Sequence, residues 1–386
     1  MSFKPLFSHA LAAAPERLHF AAHSHHLWPD ATRTAQLAAW DDAARLADLK
    51  WDRVIGEVLP QAQRHVAGEL GLPSPETIVF ASNTHDHLIK LVSAMGKSHV
   101  RVLSTDSEFH SFRRQTERWA ESGRISLELV PQHPLETLTE RFLARAAEGE
   151  HDLIFISQVF FNTGRIFEGV EALAALSAPA GPWVVVDGYH AFCAIDVDLA
   201  TVADRIFYLG GGYKYAMAGE GAAFLHAPPG FGPRPEITGW YAEIAQLEEA
   251  SSGVRYSPTA QRFAGATFDP SGLYRLNAAF AALRGAGQTT SSISAHVWGL
   301  QEQLLQGVSR GDAGALSDAQ LLNPLGAGQH ARFLALRDPR AASWKAALAE
   351  HDVLVDVRDD VLRIGLAIYH DPEDVERFIR TCGAAL

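Results

Sequence analysis

The sequence predicts an α/β protein with a mainly parallel sheet in a large domain and a smaller α+β domain towards its C-terminal end. Short apolar runs alternate with helical patterns between residues 76 and 210, an alternation typical of a parallel sheet covered on both faces. A shorter alternation occupies residues 331–386. The length of 386 residues also exceeds what one hydrophobic core usually serves, which favours a second domain.

The first predicted element is a helix over residues 30–70, where Pro29 and Asp30 form a start signal and apolar residues recur at helical spacing. Strand-like apolar runs follow at TIVFA (77–81), VRVLS (100–104), ISLELV (125–130), DLIFIS (152–157), WVVVD (183–187) and RIFYLG (205–210). Helical patterns separate them near residues 84–95, 109–122, 135–147 and 168–178. The tract at 223–239, rich in proline and glycine, is interpreted as an excursion out of the large domain.

The remaining elements predict the small domain. Helices are expected over 271–287, 288–308 and 340–350 and from Asp371, and strands over 331–337, 353–358 and 361–366. The expected division is an N-terminal segment (1–50) joining the small domain and the active site, a large domain (51–265) and a small domain (266–386).

Composition excludes several classes of protein. The net charge of −12 argues against nucleic acid or an anionic membrane surface as a partner, since both select basic patches. No apolar run approaches the ~20 residues of a membrane-spanning helix, and no targeting segment is evident. Two widely separated cysteines exclude a disulfide framework, so a cytoplasmic location is expected.

The strongest functional signal is a carboxylate and a lysine that follow two of the predicted strands. Parallel strands bring their carboxyl ends to one edge, where ligands bind. Asp187 ends the run at 183–187, and Lys214 follows the run at 205–210 through a stretch of glycines. A lysine that forms a Schiff base and a carboxylate that keeps a pyridine nitrogen protonated are what pyridoxal phosphate (PLP) requires. A structural ion pair between the two residues is the alternative.

Two further segments lie at the same predicted edge. Ser82, Asn83 and Thr84 occupy a strand-to-helix turn, where backbone N–H groups favour a phosphate, although a simple helix cap explains them equally well. Phe109 and His110 follow the next strand and offer a flat ring for a cofactor, or an ordinary aromatic helix face.

The order of these motifs resembles the class V aminotransferase family of fold-type I PLP enzymes. The motifs are SNT (82–84), EFHS (108–111), NTG (162–164), DGYH (187–190), YKY (213–215) and RFAGAT (262–267). Within that family the chain is most similar to kynureninase, through HFAAHSHHLWP (19–29), Gly239-Trp240 and LRIGLAIYHDPEDVERFI (362–379). The resemblance covers essentially the whole chain and implies a seven-stranded, mainly parallel sheet and a homodimer with active sites at the interface.

The resemblance also implies a role for each matching residue. Lys214 would be the Schiff-base lysine and proton carrier, Asp187 would pair with the pyridine nitrogen, and His190 would support it. Cofactor contacts are implied for Asn83, Thr84, Phe109, Tyr213, Trp240 and Thr267, the last reaching the phosphate of the neighbouring subunit. Substrate contacts are implied for His23, Ser24, His26 and Arg363, with Arg363 clamping the α-carboxylate of an amino acid.

The departures from kynureninase concern the substrate. His23-Ser24-His25-His26 replaces an Asn-Ser-x-Gly segment, and Asp269 stands where the family has an asparagine near the aryl ring. No clear counterpart follows Phe109 for the acidic residue that comes after the stacking phenylalanine in the family. Compared with kynureninase, the residues that hold the cofactor are thus retained, while those that recognise the aryl group of the substrate are altered.

Three functions remain open at this point. The first is kynureninase-like cleavage at Cβ of an amino acid, and the second is amino-group exchange by a class V aminotransferase. The third is a metal-dependent hydrolase that uses the clusters at His23–His26 and His85–His87, because histidines at alternating positions bind zinc in some hydrolases. No metal is expected, since residues two apart on a helix point in different directions.

Overall fold

The computed structural model describes residues 2–246 and 252–386. Its strands are β1 (Leu18–His19), β2 (Ile78–Ala81), β3 (Val100–Thr105), β4 (Ile125–Val130), β5 (Leu153–Ser157), β6 (Trp183–Asp187), β7 (Ile206–Gly211), β8 (Ala223–His226), β9 (Gln320–Leu321), β10 (Phe333–Arg337), β11 (Val353–Leu354), β12 (Asp356–Arg358) and β13 (Val361–Gly365). Its α-helices are α1 (Ser8–Ala12), α2 (Asp30–Leu46), α3 (Lys50–Arg53), α4 (Leu59–Glu69), α5 (Thr84–Ser93), α6 (His110–Glu121), α7 (Leu138–Ala147), α8 (Val170–Ala174), α9 (Ser271–Gly285), α10 (Thr290–Ser309), α11 (Ala341–Ala349) and α12 (Pro372–Ala385).

The larger sheet has seven strands in the order β2-β8-β7-β6-β5-β3-β4. The pairs among β3, β4, β5, β6 and β7 are parallel, whereas β8 is antiparallel to both of its neighbours. The apolar runs are fully buried in β2, β5 and β8, as expected for strands covered on both faces. This arrangement confirms the predicted α/β class with a mainly parallel sheet.

Two apolar layers cover this sheet. On one face α4, α7, α8 and α9 pack against the strands around Phe142, Ile156 and Tyr208. On the other face α5 and α6 contribute Leu91 and Phe112, and the Phe112 ring stacks on Phe155. The helix α9 lies beyond the predicted boundary at residue 266, yet its apolar side chains join the core of the large sheet.

A second sheet, in the order β12-β13-β10-β9, is antiparallel and packs against α10 and α12. The N-terminal segment is tied to this part of the molecule. The strand β1 pairs in parallel with β11, and the carbonyl of Phe20 accepts a hydrogen bond of 2.7 Å from the backbone N–H of Gly365. The segment therefore runs from the small sheet towards the edge of the large one.

Three predicted elements differ from the structure. The strand expected over 353–358 forms β11 and β12, which lie in two different sheets. The interpretation of 223–239 as an excursion is wrong for its first residues, because Ala223–His226 form the buried strand β8; the prolines begin only at Pro228. The helix expected over 30–70 is interrupted at Ala47, whose φ of 48° lies in the left-handed region. Among the described residues, no helix has the length and apolarity needed to cross a bilayer.

Candidate active site

The carboxyl ends of β5 and β6, the turn before α5 and the segment after β7 surround a cavity of about 970 Å³. Strand C-termini meet at this edge because the crossovers between parallel strands have one hand. The cavity brings together most of the predicted site residues, namely His23, Ser24, Asn83, Thr84, Phe109, Asp187, His190, Tyr213, Lys214 and Arg363.

Asp187 is the last residue of β6 and lines the cavity. Its Oδ1 accepts a hydrogen bond of 2.9 Å from the backbone N–H of Tyr189. Burial raises the pKa of Asp187, although that hydrogen bond and the charge of Lys214 oppose the shift. A buried carboxylate with so few donors is stabilised by a positively charged partner, and a protonated pyridine nitrogen is such a partner.

Lys214 enters the cavity from the segment that follows β7. Its Nζ lies 5.1 Å from the ring centroid of Tyr189 and 5.6 Å from that of Phe109, and it contacts Nε2 of His190. Burial lowers the pKa of Lys214 to about 7, with the charge of Asp187 acting in the opposite direction. An amine that is partly unprotonated at neutral pH is suited to attack an aldehyde. The residues present thus fit PLP.

His190 is buried against Lys214, and burial together with the charge of Lys214 lowers its pKa well below the ordinary value. The imidazole is therefore neutral. Its Nδ1 is buried without a hydrogen-bond partner among the described residues. The recorded contact of His190 is with Lys214, and its implied support of Asp187 stays a prediction.

The turn before α5 is compatible with both interpretations of the sequence, a helix cap and a phosphate site. Oδ1 of Asn83 accepts a hydrogen bond of 2.9 Å from the backbone N–H of Asp86, so this side chain is a helix N-cap. Asn83, Thr84 and His85 all line the cavity. The positive end of α5 consequently faces it, which is favourable for an anion. The contact with a phosphate stays a prediction.

The wall beside Phe109 contains a second buried carboxylate that the sequence did not single out. Phe109 is 40% exposed and meets Phe161 edge to face. The preceding Glu108 is buried and accepts hydrogen bonds from the hydroxyls of Thr105 at 2.6 Å and Ser157 at 2.5 Å. Burial raises the pKa of Glu108 to about 7, and the charge of Asp187 adds to the shift.

Arg363 lies on β13 and reaches the cavity, as predicted for a carboxylate clamp. Its guanidinium is already engaged, since it pairs with Asp356 on β12 and donates to the carbonyl of Phe161. Two of its five N–H groups are thereby used, and Nε is buried without a partner among the described residues. Arg358 approaches the same cavity and pairs with Asp356 at 3.1 Å.

The histidine segment divides into residues inside and outside the cavity. His23 and Ser24 line it, and the ring of His23 stacks on Phe333. His25 shares a hydrogen bond of 3.2 Å with the hydroxyl of Tyr213. His26 is not brought into the cavity: it is buried against Tyr369, and its Nδ1 donates to the carbonyl of Leu27 at 2.7 Å.

Trp240 and Thr267 also lie apart from Lys214 within this chain. The indole Nε1 of Trp240 donates to the hydroxyl of Thr267 at 3.2 Å. Thr267 lines a second cavity, of about 750 Å³, together with Trp51, Lys90 and Tyr241. The implied contact of Thr267 with the phosphate of a neighbouring subunit stays a prediction.

The histidine clusters give no support to a metal centre. In residues 2–246 and 252–386, no group of three or more His, Cys, Asp or Glu side chains is arranged to hold a metal ion. His85 faces the main cavity, whereas His87 is fully buried on the other side of α5, as their two-residue spacing requires.

Sequence reasoning missed three residues that shape this site: Glu108, Tyr189 and Asp356. Glu108 stands just before the predicted stacking residue, and Tyr189 lies inside the DGYH motif, so position alone could have indicated both. Asp356 had no comparable signal, because its partner Arg363 is reached only through the pairing of β12 with β13.

A parallel sheet with a lysine, a carboxylate and a helix N-terminus at one edge defines a PLP-type enzyme site. The sequence of residues 49–320, well over half of the chain, matches the family described as Aminotransferase class-V. This chain belongs to that family. The membership confirms the predicted family and the predicted cofactor, because class V aminotransferases depend on PLP.

The chain is similar to curated proteins with two different descriptions. Isopenicillin N epimerase of Streptomyces clavuligerus is 31% identical over 194 residues, which are 48% of this chain and 48% of that protein. The chain thus spans about half the length of the isopenicillin N epimerases it matches. An uncharacterized aminotransferase of Bacillus subtilis (strain 168), YcbU, is 23% identical over 79% of this chain and 78% of its own.

Solved structures share the fold over the whole chain. The apo cysteine desulfurase of Thermococcus onnurineus NA1 has a TM-score of 0.78 and 19% identity, covering 100% of this chain and 98% of that one. A variant of C-DES with glycine covalently linked to its PLP cofactor has a TM-score of 0.80 and 16% identity, covering 99% of each chain. These likenesses confirm the fold class. The similarity to kynureninase in particular stays a prediction.

Proposed function

We propose that this chain is a PLP-dependent enzyme that acts on an α-amino acid and cleaves a bond at its Cβ, as a kynureninase-like hydrolase or lyase does. The observation that supports this is the presence of two proton-transfer groups in one cavity, the amine of Lys214 and the phenol of Tyr213, which is held by His25. Exchange of an amino group requires one base at Cα, whereas cleavage at Cβ also requires a proton for the departing fragment.

The cofactor-holding roles proposed here follow the geometry of the cavity. Lys214 is the amine that binds PLP covalently, and Asp187 is the carboxylate that pairs with its ring nitrogen. When bound, PLP supplies an electron sink that stabilises negative charge at Cα of the substrate. Asn83 and Thr84 present the N-terminus of α5 to the phosphate, and Phe109 offers its half-exposed ring to the cofactor face.

The substrate is held by its α-carboxylate. Arg363 lines the cavity, is buried and is fixed by Asp356 and the carbonyl of Phe161, and its Nε has no hydrogen-bond partner among the described residues. A guanidinium fixed in this way is organised in advance for a carboxylate, so little rotamer entropy is lost on binding. His23 and Ser24 close the same side of the site.

Proton movement then falls to Lys214 and Tyr213. With a pKa of about 7, the amine of Lys214 both accepts and returns a proton at Cα near neutral pH. Burial raises the pKa of the Tyr213 phenol, which therefore stays protonated and donates to the fragment that leaves from Cβ. His25 fixes the hydroxyl and connects it to solvent.

A persulfide route is disfavoured by the positions of the thiols. Passing sulfur from a substrate to the protein requires a thiolate beside the substrate. Both cysteines, Cys193 and Cys382, are buried outside the cavity, and burial raises the pKa of each. The chain is therefore not proposed to act through a cysteine.

The second candidate is a transaminase. Similarity to an uncharacterized aminotransferase over 79% of the chain favours it, and Lys214 alone provides the base that it needs. The two candidates share every residue that holds the cofactor and the α-carboxylate, so they differ only in whether Tyr213 transfers a proton.

The test is to mix the PLP-loaded enzyme with a panel of α-amino acids and to follow both the products and the visible spectrum. Cβ cleavage predicts a released side-chain fragment while the cofactor keeps its aldehyde form, and Tyr213→Phe should slow release at least tenfold. Lasting conversion of the cofactor to its amine form would favour the transaminase. Exchange of the Cα hydrogen in heavy water, with inversion at Cα and no released fragment, would favour epimerisation and would contradict cleavage.

Assembly, location and domain boundaries also remain proposals. We propose a homodimer in which Thr267 of one subunit reaches the phosphate site of the other, and a cytoplasmic location. We also propose the domains 1–50, 51–265 and 266–386, with α9 of the last domain packing on the large sheet. Sedimentation equilibrium tests the dimer, and a PLP affinity that is unchanged in Thr267→Ala would contradict the contact across subunits.

A further inference from the structure

Two arginine side chains face the cavity from neighbouring strands of the small sheet. Asp356 on β12 lies directly across from Arg363 on β13, and Arg358 stands two residues further along β12. Residues two apart on a strand share a face, so all three side chains lie on the same side of the sheet. Arg358 and Arg363 are then diagonal neighbours, with roughly 7–8 Å between their positions.

Both arginines form an ion pair with the same carboxylate, that of Asp356. Asp356 pairs with Nη2 of Arg363 and, at 3.1 Å, with Nη1 of Arg358. It balances one of the two charges, and a positive charge remains on this wall. Two carboxylates of α6 also line the cavity, but each has an arginine on its own helix: Glu117 lies 3.7 Å from Arg113, and Glu121 lies 3.5 Å from Arg118.

Both guanidinium groups keep unused donors. The Nε atoms of Arg358 and Arg363 are buried and have no hydrogen-bond partner among the described residues. A buried N–H without an acceptor is unfavourable, so each of these atoms favours a ligand oxygen. The two groups also differ in depth, since the side chain of Arg363 is 3% exposed and that of Arg358 is 36% exposed.

We infer that the substrate carries a second anionic group on its side chain, which Arg358 binds while Arg363 binds the α-carboxylate. This inference rests on the proposed function and adds a substrate class to it: α-amino acids with an acidic side chain. Arg358 lies on the solvent side of Arg363, and its charge also acts on His110 at the wall beside Phe109. The side-chain anion would thus lie towards the cavity opening.

The alternative is that both arginines hold the same α-carboxylate. The different depths of the two guanidinium groups and the diagonal spacing of their strand positions favour two separate anion positions. The alternatives predict different results for pairs of ligands that differ only in the charge of the side chain.

The experiment measures the dissociation constants of L-aspartate against L-asparagine and of L-glutamate against L-glutamine, with L-alanine as a neutral reference. Binding to the PLP-loaded enzyme is followed by the change in its visible spectrum. The wild-type enzyme should prefer the acidic member of at least one pair by roughly tenfold or more. Arg358→Gln should reduce that ratio to about one, and Arg358→Lys should restore part of it.

Arg310→Gln is the matched control, because Arg310 lies on the surface at the end of α10 and does not line the cavity. Its ratio should equal that of the wild type. Absence of any acidic preference in the wild type, or a ratio unchanged in Arg358→Gln, would overturn the inference while leaving the proposed function intact. If no amino acid, alanine included, changed the spectrum, the proposed function would fail and the inference with it.

Discussion

Lys214 is enclosed by the rings of Tyr189 and Phe109 and by the imidazole of His190, and this burial lowers its pKa to about 7. A lowered pKa increases the fraction of free amine at neutral pH. When PLP is added to the cofactor-free protein, the rate at which the visible band appears should therefore rise with pH to a midpoint near 7. A midpoint at the pKa of an ordinary lysine would contradict this, and Lys214→Ala should give no band.

Glu108 provides a second pH-dependent prediction, for stability. Its pKa in the folded protein is about 7, above the ordinary 4.5, because it is buried. The unfolded chain therefore releases this proton at lower pH, and stability is lost as pH rises from about 4.5 to 7. Glu108→Gln does not titrate, so between pH 5 and 8 the wild type should lose up to about 3 kcal/mol more of its unfolding free energy than this variant.

Urea unfolding of the cofactor-free proteins at both pH values measures that difference. Glu121→Gln is the control, since the side chain of Glu121 is 70% exposed and its substitution should leave the pH dependence unchanged. Parallel pH profiles for the wild type and Glu108→Gln would show that Glu108 is ionised in the folded protein throughout this range.

Among single residues, the sequence identified those site residues whose role follows from their position after a strand, and it missed those that depend on a partner elsewhere in the chain. Asp187 and Lys214 could be predicted because each follows a strand, and strand ends gather at one edge of the sheet. Two other features could not be predicted: the pairing of Arg363 with Asp356 and the burial of Glu108. Both depend on contacts that form only after the strands align. His26 was assigned to the site by its neighbours in sequence, and its side chain points into the small-domain core instead.

The secondary-structure elements followed their patterns where apolar runs were long. The bounds of β4 and β6 agree with the runs at 125–130 and 183–187. The strand β8 was missed because four residues are too few to show a period, and because the prolines that follow suggested a loop. The interruption of the predicted helix at Ala47 could not be predicted, because no glycine or proline lies at that position.

The start of α5 provides a prediction at the scale of one helix. The Asn83 side chain caps this helix, and loss of such a cap costs about 1 kcal/mol. Asn83→Ala should lower the unfolding free energy by that amount in urea titrations, whereas Asn83→Ser should retain most of it. Equal stability of the wild type and Asn83→Ala would contradict the cap. A PLP affinity that is lost in both variants would indicate that the amide also contacts the phosphate.

The contact between β13 and the N-terminal segment provides a second prediction about secondary-structure elements. A Cβ atom at Gly365 would lie 2.9 Å from the backbone nitrogen of His23, closer than such atoms approach. Gly365→Ala should therefore displace His23 and Ser24 and weaken amino acid binding several-fold, while PLP still attaches to Lys214. Gly326→Ala, where a Cβ meets nothing within 4 Å, is the control. Unchanged amino acid affinity in Gly365→Ala would show that the segment does not shape the site.

In the whole molecule, the site lies where the two sheets approach each other. Asp187 ends a strand of the large sheet and Lys214 follows another, Arg363 belongs to the small sheet, and His23 belongs to the N-terminal segment. The alternation of strands and helices predicted both sheets, and the resemblance to class V enzymes predicted seven strands in the larger one. Neither predicted that α9 would pack on the large sheet, since its largely apolar sequence is compatible with either core.

The proposed function depends first on the amine of Lys214 being the attachment point of PLP. The direct test is to load the protein with PLP, reduce it with borohydride and map the modified peptide by mass spectrometry. We expect a single reduced PLP adduct on Lys214 and a visible band before reduction that is absent from Lys214→Ala. A colourless protein, or an adduct on another lysine such as the buried Lys90 of the second cavity, would contradict it.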